Sequence, residues 1–247
     1  MVKVGIQMYS LREEIARDGL DAVLAAVRDA GFRYVEFAGF YGMTPEALAA
    51  KLGAYGLSGM SAHIGPDGLA EALPYLDALG IKKVFIPWLK ETAPEEPDTV
   101  KRVRDMADTL KARGVLTGYH NHAHEYGGGG DSVRGLLEAV PGLTAQLDVF
   151  WATAAGLEPA ALMERYGARL ACVHVKEMDG RTTADPAQYP NPVPGTGKVG
   201  MAAVFGTAKK LGVTDFVLEV EGFPFPYPDY LKQSYDAIKK LYEEKER

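Results

Sequence analysis

The feature that most constrains the fold is a regular alternation of short apolar runs with amphipathic stretches of helical spacing. The apolar runs predict strands at residues 2–7, 34–37, 57–63, 83–87, 115–120, 143–148, 170–176 and 215–219. Helical spacing predicts helices at residues 20–30, 45–56, 69–79, 99–113, 132–139, 159–166, 201–211 and 230–244. Thr44 and Pro45 suit the N-cap and the first turn of the second helix. Strands that alternate with helices in this way form a parallel sheet.

Eight strand–helix units predict one closed (β/α)8 barrel, a TIM barrel, as a single domain over residues 1–247. The chain has 247 residues, and barrels of this kind have about 250. An open doubly wound sheet is the alternative α/β fold. A nucleotide-binding fold of that kind would typically carry a glycine-rich phosphate loop after an early strand, and none follows the early strands here.

Composition limits the classes of function. The apolar fraction of 47% and the charged fraction of 24% are those of an ordinary globular protein. The net charge of −6 argues against nucleic acid as a partner, because binding without sequence preference needs many Lys and Arg side chains. The single cysteine, Cys172, excludes an internal disulfide and fits a reducing compartment. With no signal-like N-terminus and no apolar run of membrane-spanning length, we expect a soluble cytoplasmic protein that does not bind membranes.

Chemistry-bearing residues are most concentrated in the stretch LTGYHNHAHEY, residues 116–126. It holds three of the five histidines, and one of them, His120, closes the predicted fifth strand. Glycines at 127–130 end the strand pattern. In a parallel barrel, ligands bind where strands end and loops begin. We therefore expect His120 to lie on the rim of the barrel and to help hold a divalent metal.

Residues two apart on a strand share a face, so the strand ends predict which side chains meet in the barrel mouth. The inward-facing set, most of it polar, comprises Ser61, His63, Gly118, His120, His122, Gln146, Asp148, Cys172, His174, Lys176, Val217, Glu219 and Glu221. The residues between them are apolar and suit contact with the outer helices. Burying these polar groups together without partners would be costly. A bound divalent ion removes the difficulty, and a mixed set of imidazole and carboxylate ligands suits Mn, Zn, Co, Fe or Mg.

Each of these residues also has a purely structural interpretation. In that interpretation His63 is a hydrogen-bonded rim residue, and Asp148 and Glu219 form ion pairs inside the barrel. Lys176 then only neutralises those carboxylates. Two tryptophans at strand ends, Trp88 and Trp151, can stack on a sugar face or serve packing alone.

Several short motifs resemble the xylose isomerase-like TIM barrel superfamily, which includes sugar phosphate isomerases/epimerases and the type 2 apurinic endonucleases. The resemblance covers nearly the whole chain. It is carried by GIQMYSLRE, YVEFAG, YHNH, LDVFWAT, HVKEMDG, PGTGKVGMAAVF and FVLEVEG, in this order. The resemblance implies the barrel fold and a sugar or sugar derivative as substrate. Barrels of the superfamily often form dimers, so the resemblance allows a homodimer. The aromatic segment 223–230 is then a candidate interface, and its alternative role is a lid.

In the metal-dependent epimerases and isomerases of that superfamily, one ion is held by Glu, Asp, His and Glu from strands five to eight. Asp148, His174 and Glu219 match three of these positions, and His120 stands in place of the first Glu. That Glu is half of the acid/base pair of the ketose epimerases. The endonuclease branch holds three zinc ions, but Trp151 replaces one of its histidines and the segment 182–200 contains Asp185 without a histidine. The resemblance therefore implies one metal ion, bound by His120, Asp148, His174 and Glu219.

The leading hypothesis for function is an isomerase or epimerase that acts through an enediolate. Glu219 is the expected base, and its partner is His120, His122, Glu125 or Lys176. The expected substrate-binding residues are Glu36, His63, Trp88, His122, Trp151 and Lys176. A dehydratase or lyase of a keto-inositol or keto-glycoside is the second hypothesis, because elimination needs only one base and one acid. A non-catalytic sugar-binding barrel is the third.

Whether the substrate carries a phosphate is left open by the sequence. Gly195, Gly197 and Gly200, with Lys198, can form a phosphate site of the kind that barrels build near strands seven and eight. The same segment can equally be a flexible loop that closes over the barrel mouth.

Overall fold

The sheet of this protein is a closed barrel of eight parallel strands, as the alternating sequence predicts. The computed structural model describes residues 2–89, 96–180 and 190–243. The strands are β1 (Lys3–Gln7), β2 (Tyr34–Phe37), β3 (Ser58–His63), β4 (Lys83–Ile86), β5 (Leu116–His120), β6 (Thr144–Asp148), β7 (Leu170–Val175) and β8 (Asp215–Leu218). Each strand pairs with the next, and β8 pairs with β1, for example Val4 with Phe216. The fold is therefore a (β/α)8 TIM barrel.

Helices surround the barrel and follow the strands in sequence. Those of the described residues are α1 (Arg12–Asp18), α2 (Leu20–Ala30), α3 (Pro45–Ala54), α4 (Leu69–Ala78), α5 (Pro97–Lys111), α6 (Ser132–Ala139), α7 (Val149–Ala154), α8 (Pro159–Tyr166), α9 (Met201–Leu211) and α10 (Tyr227–Glu243). Thr44 caps α3 as predicted, because its Oγ1 accepts a hydrogen bond from the backbone N–H of Ala47. The short helices α1 and α7 were not predicted, since neither is long enough to show a helical apolar stripe. No helix within these ranges is long and apolar enough to cross a membrane.

The two faces of the strands pack into separate apolar regions. Side chains such as Leu147, Val173 and Leu218 belong to the large cluster between barrel and helices. Met60, Phe85, Cys172 and Val217 form a second, smaller cluster. Cys172 and Val217 lie two residues before His174 and Glu219, so this second cluster fills the barrel interior below the polar strand ends. The predicted division between inward and outward residues is therefore confirmed for these strands.

One irregularity adjusts this alternation on β3. Val35 pairs with Gly59 and Glu36 pairs with Ser61, so Met60 is an extra residue in the ladder. A β-bulge of this kind re-aims the side chains that follow it. As a result, Met60 joins the interior cluster while Ser61 also reaches the interior, where its hydroxyl contacts Glu36.

The interior of the barrel is tightly filled at Gly118, which tests the packing directly. A Cβ at this position would lie 2.5 Å from Cδ1 of Phe85 and 2.7 Å from Oγ1 of Thr144. We expect Gly118→Ala to lower the free energy of unfolding by about 1–3 kcal/mol, because the core would have to shift to accept the methyl group. Urea denaturation measures the change.

Gly53→Ala is the matched control, since that position in α3 has no heavy atom within 4 Å of the added carbon. It is expected to stabilise by about 0.5–1 kcal/mol. Equal stability of Gly118→Ala and the wild type would contradict this account of the interior.

Candidate active site

Four residues from successive strands meet at the carboxyl end of the barrel. His120 ends β5, Asp148 ends β6, His174 lies on β7 and Glu219 follows β8. One nitrogen or oxygen atom from each of the four lies within 4.8 Å of those from the other three. All four side chains are buried. These residues, which we call the His–Asp–His–Glu cluster, are the four that the sequence singled out for a metal.

Glu36 lies fully buried beside the cluster and orients it. Its Oε1 accepts a hydrogen bond from Nε2 of Gln7 at 2.8 Å and lies 2.6 Å from Nε2 of His174. Its Oε2 accepts from the hydroxyl of Ser61 at 2.5 Å and from Nε2 of Gln146 at 2.7 Å. Burial alone would raise the pKa of this carboxyl, but His63 and His174 outweigh it and hold the pKa well below its usual range. Both oxygens are occupied, so Glu36 has no free edge for a substrate, and the expected substrate contact does not fit its position.

His174 is held by carboxylates on both sides of its ring. Glu36 accepts from one ring nitrogen, while Nδ1 lies 2.8 Å from Oε2 of Glu219 without making a hydrogen bond of acceptable geometry. Burial lowers the pKa of the imidazole, but Glu36 and Glu219 outweigh this effect and raise the pKa to about 10. The same two carboxylates that favour a proton on this ring would also favour a cation on Nδ1 in place of that proton.

Asp148 leaves a second buried polar atom without a partner. Its Oδ1 caps α7 by accepting from the backbone N–H of Trp151 at 2.9 Å, whereas Oδ2 makes no hydrogen bond. Burial raises the pKa of this carboxyl to about 7, although Lys176 opposes the rise. Unsatisfied buried carboxylate oxygens are costly and rare in folded proteins. Oδ2 of Asp148 and Nδ1 of His174 are therefore buried polar atoms that make no hydrogen bond within the protein.

His120 contributes a neutral imidazole ring to the His–Asp–His–Glu cluster. Its Nδ1 lies 3.1 Å from Oε1 of Gln146, which also lies 2.7 Å from Nε2 of His63. Burial, followed by the nearby His174 and His63, keeps the pKa of His120 well below its usual range. When Nδ1 donates its proton to Gln146, the other ring nitrogen carries a free lone pair. The sequence placed Gln146 on this face but assigned it no role. Its side chain in fact links two histidines to Glu36.

The donor set therefore fits a divalent metal ion. Two imidazoles and two carboxylates converge, and Oδ2 of Asp148 makes no hydrogen bond to the protein. The Glu36–His174 contact is the carboxylate–histidine arrangement that orients a metal-binding imidazole. Mixed nitrogen and oxygen ligands of this kind suit Mn, Zn, Co, Fe or Mg.

A cleft of about 410 Å3 opens directly above the cluster. Its walls include His63, Trp88, His120, His122, Glu219 and Glu221. Trp88 is 47% exposed, so much of its indole faces solvent. Three of the expected substrate-binding residues, His63, Trp88 and His122, thus line the cleft.

Lys176 lies behind the cleft wall, and the half-buried Trp151 beside it is outside the residues that line this cleft. Lys176 is fully buried, and its Nζ donates to Oε1 of Glu219 at 3.2 Å and to Oε1 of Glu221 at 2.5 Å. The ammonium also lies 4.9 Å from the ring centre of Trp151. Burial lowers the pKa of Lys176, but the carboxylates of Glu219, Asp148 and Glu221 outweigh it and raise the pKa. Lys176 is therefore a buried ammonium that holds Glu219 in place.

The remaining candidates for a second acid or base now differ in position. Glu125 is buried away from the cleft, with Oε1 accepting from the hydroxyl of Tyr119 at 2.5 Å and Oε2 from the backbone N–H of His122 at 2.8 Å. It braces the loop after β5 and does not reach the cleft. His122 does line the cleft, and its Nδ1 is buried without a partner. Burial lowers the pKa of His122 to about 3, so its ring is neutral.

The glycine-rich segment after β7 is an ordered loop whose amides are already occupied. Backbone N–H groups of Gly195 and Val199 both donate to the carboxylate of Glu177, each at 2.8 Å. Lys198 donates to the carbonyl of Gly180 at 2.7 Å. These contacts occupy the N–H donors of Gly195 and Val199 and the ammonium of Lys198, which a phosphate at this position would need. Sequence analysis gave Glu177 no role, and Asp185 lies outside the described residues.

Comparison with known proteins agrees with this architecture. The chain is 26% identical over 271 residues to an inosose dehydratase from Geobacillus kaustophilus, with 90% of this chain and 87% of the relative covered. A sugar phosphate isomerase/epimerase structure from Parabacteroides distasonis superposes with a TM-score of 0.78 at 21% identity, covering 98% of this chain and 96% of the other. An L-ribulose 3-epimerase superposes with a TM-score of 0.71 at 19% identity, covering 98% and 95%.

The family assignment rests on a longer match. The sequence profile of the xylose isomerase-like TIM barrel family matches residues 5–241, which include every strand but the first two residues of β1. This chain belongs to the xylose isomerase-like TIM barrel family.

Proposed function

We propose that this protein is a divalent-metal-dependent isomerase of a sugar or sugar derivative. Its reaction would begin by removal of a proton from the carbon next to a carbonyl group. The observation that carries the proposal is the position of Glu219, which belongs both to the His–Asp–His–Glu cluster and to the wall of the cleft. A substrate in the cleft would therefore meet the metal site and a carboxylate at the same point.

His120, Asp148, His174 and Glu219 would hold one ion of Mn, Zn, Co, Fe or Mg. When bound, the ion supplies a Lewis acid that polarises the carbonyl of the substrate and stabilises the negative charge developing on its oxygen. Support for the site comes from Oδ2 of Asp148, a buried oxygen without a hydrogen bond, and from Nδ1 of His174, whose neighbour at 2.8 Å is a carboxylate oxygen of the same set. Glu36 would orient His174 from behind.

Glu219 is the residue we propose as the base. Burial would raise its pKa, but Lys176 and His174 outweigh burial and hold the pKa well below its usual range. The side chain is therefore ionised, as a base must be before it takes a proton, and Lys176 holds it in place at the cleft. Removal of the proton leaves an enediolate, and the proton held by Glu219 can exchange with solvent at this stage. Return of a proton from Glu219 to the neighbouring carbon, together with a shift of the hydroxyl proton from one substrate oxygen to the other, completes an aldose–ketose isomerisation.

The distribution of carboxylates favours transfer on one face of the substrate. Among the described cleft residues, Glu221 is the other carboxylate that lines the wall. It lies two residues from Glu219 at the same strand end. The histidines His63, His120 and His122 form another part of the wall. A two-face epimerisation would need one of these imidazoles as the second group, and His63 and His122 are the two outside the proposed metal set.

Elimination of water is the second candidate reaction. The 26% identical relative is an inosose dehydratase, and a dehydratase needs one base and one acid. Glu219 would again be the base and, once protonated, would pass that proton to the leaving hydroxyl, with Lys176 holding its carboxylate in place. This reaction uses the same residues and differs in the fate of the enediolate.

Solvent hydrogen exchange tests both reactions at once. The metal-loaded protein is incubated in heavy water with a panel of ketoses, aldoses and cyclic polyhydroxyketones, and the metal-stripped protein is the control. Deuterium beside the carbonyl together with an aldose–ketose pair in the NMR spectrum supports isomerisation. A rising enone absorbance supports elimination. Sugar binding without exchange would favour a non-catalytic sugar-binding barrel, and no exchange across the panel would contradict both enzymatic proposals.

A further inference from the structure

The loops after β7 and β8 are where (β/α)8 barrels commonly bind the phosphate of a substrate. Residues 195–200 here read GTGKVG, the spacing G-x-G-x-x-G, and they lead into α9 at Met201. Free backbone N–H groups in such a loop would form an anion site. Which group those N–H donors actually face therefore bears on the kind of substrate that the barrel accepts.

The carboxylate of Glu177 faces them. Its Oε1 accepts from the backbone N–H of Met178 at 2.9 Å and of Val199 at 2.8 Å, and its Oε2 accepts from the N–H of Gly195 at 2.8 Å. Only 1% of Glu177 is exposed. A Cβ on Gly197 would lie 2.6 Å from Oε1 of Glu177 and 2.2 Å from the carbonyl oxygen of Met178. The glycine thus lets the loop close around the carboxylate.

The donors after β8 are occupied in the same way. The backbone N–H of Val220 donates to Oγ of Ser10 at 2.9 Å, and that of Glu221 donates to Oδ1 of Asn191 at 2.7 Å. The Nδ2 of Asn191 in turn donates to the backbone carbonyl of Glu177 at 2.8 Å. Side chains of the protein itself therefore satisfy these N–H groups of both loops.

The charges around this corner of the cleft also disfavour a second anion. Glu219 and Glu221 stand on its wall, and the ammonium of Lys176 is shared between them. Arg12 lies 3.9 Å from Glu221 and packs over the ring of Tyr9. A phosphate dianion placed here would meet two carboxylates and would gain none of the loop donors described above.

We propose that Glu177 is a built-in substitute for a phosphate group, and that the substrate is an unphosphorylated polyhydroxylated carbonyl compound. Glu177 is a positioning residue in this scheme, because it closes the loop next to Lys176 without touching the substrate. The inference about the substrate rests on the proposed function. The inference about the loop does not.

The loop is tested with Glu177→Ala and Glu177→Leu. Both variants should melt about 5–10 °C below the wild type, because buried N–H donors lose their acceptor. In Glu177→Ala the vacated space is an anion site, so sodium formate or inorganic phosphate should restore at least half of the loss relative to sodium chloride at equal ionic strength. Glu177→Leu fills the space with an apolar side chain and should show no such recovery. Equal recovery in both variants, no recovery in either, or equal stabilisation of the wild type by phosphate would overturn the proposal.

The substrate class is tested on the metal-loaded wild-type protein, which avoids any variant that fails to fold. Calorimetry compares xylitol, sorbitol and myo-inositol with their phosphate monoesters. Each free polyol should bind at least about tenfold more tightly than its monoester, because the phosphate meets like charges in the cleft. Tighter binding of the monoesters would overturn the inference and leave the proposed function standing. If neither form binds, the sugar-enzyme proposal loses its support, and the formate result alone decides whether Glu177 fills an anion site.

Discussion

Glu219→Gln is expected to lower kcat by about 10²–10⁴, the range over which a positioned general base accelerates proton transfer. An amide cannot accept the proton of the substrate, and it cannot attract Lys176 and His174 as the carboxylate does. The shape of the side chain is nearly unchanged, so the cleft should still bind the compound identified by solvent exchange. The measurement is kcat at saturating metal, together with the rate of deuterium incorporation beside the carbonyl.

Glu221→Gln is the matched comparison for this prediction. Glu221 also lines the cleft and also contacts Lys176, but it lies outside the His–Asp–His–Glu cluster. It should therefore lose less activity than Glu219→Gln. Metal content is measured in both variants, so that a lost ion is not mistaken for a lost base. If the two variants lose the same amount while the metal is retained, Glu219 is not the base.

Glu36→Gln is expected to weaken metal binding by about 10–100-fold, which is the usual cost of removing the group that orients a metal-binding histidine. Glu36 accepts from Gln7, Ser61 and Gln146 and contacts the ring of His174. A glutamine brings one acceptor and one donor to a position where every neighbour needs an acceptor. The ring of His174 is then no longer held in one tautomer and one orientation. Calorimetric titration of the metal-stripped protein with Mn measures the change.

Asp215→Asn provides the control for removing a buried carboxylate elsewhere in the barrel. Asp215 pairs with Lys83 at 2.7 Å, near the amino ends of the strands and away from the cluster. This variant should lose stability and keep the manganese affinity of the wild type. An unchanged affinity in Glu36→Gln, or an equal loss in Asp215→Asn, would show that Glu36 does not act through His174.

Much of the architecture could be predicted from the sequence, because periodicity is a local property. The alternation of apolar runs and helical stripes predicts eight strand–helix units, and the observed barrel contains them with ends shifted by up to three residues among those described. The two-residue period of a strand also places His174 with Lys176 and Gln146 with Asp148 on the interior side. The convergence of the four cluster residues follows once the barrel closes.

The tertiary structure decided how deeply each side chain is buried and which side chains contact one another. Periodicity gives the face on which a side chain lies, but not how far it is from solvent. Glu36 and Lys176 were expected at the substrate, and both are fully buried. The bulge on β3 that brings Met60 into the interior next to Ser61 has no signature in the sequence pattern.

The sequence by itself determined the barrel and the set of polar residues at its carboxyl end. The tertiary structure alone decided which of them satisfy one another. Glu36 meets His174 from 138 residues away, and Glu177 meets the amides of Gly195 and Val199 from the far side of a long loop. Hydrogen bonds form wherever the closed barrel brings donors to acceptors. For such distant pairs that depends on the geometry of the closed barrel, which local pattern does not encode.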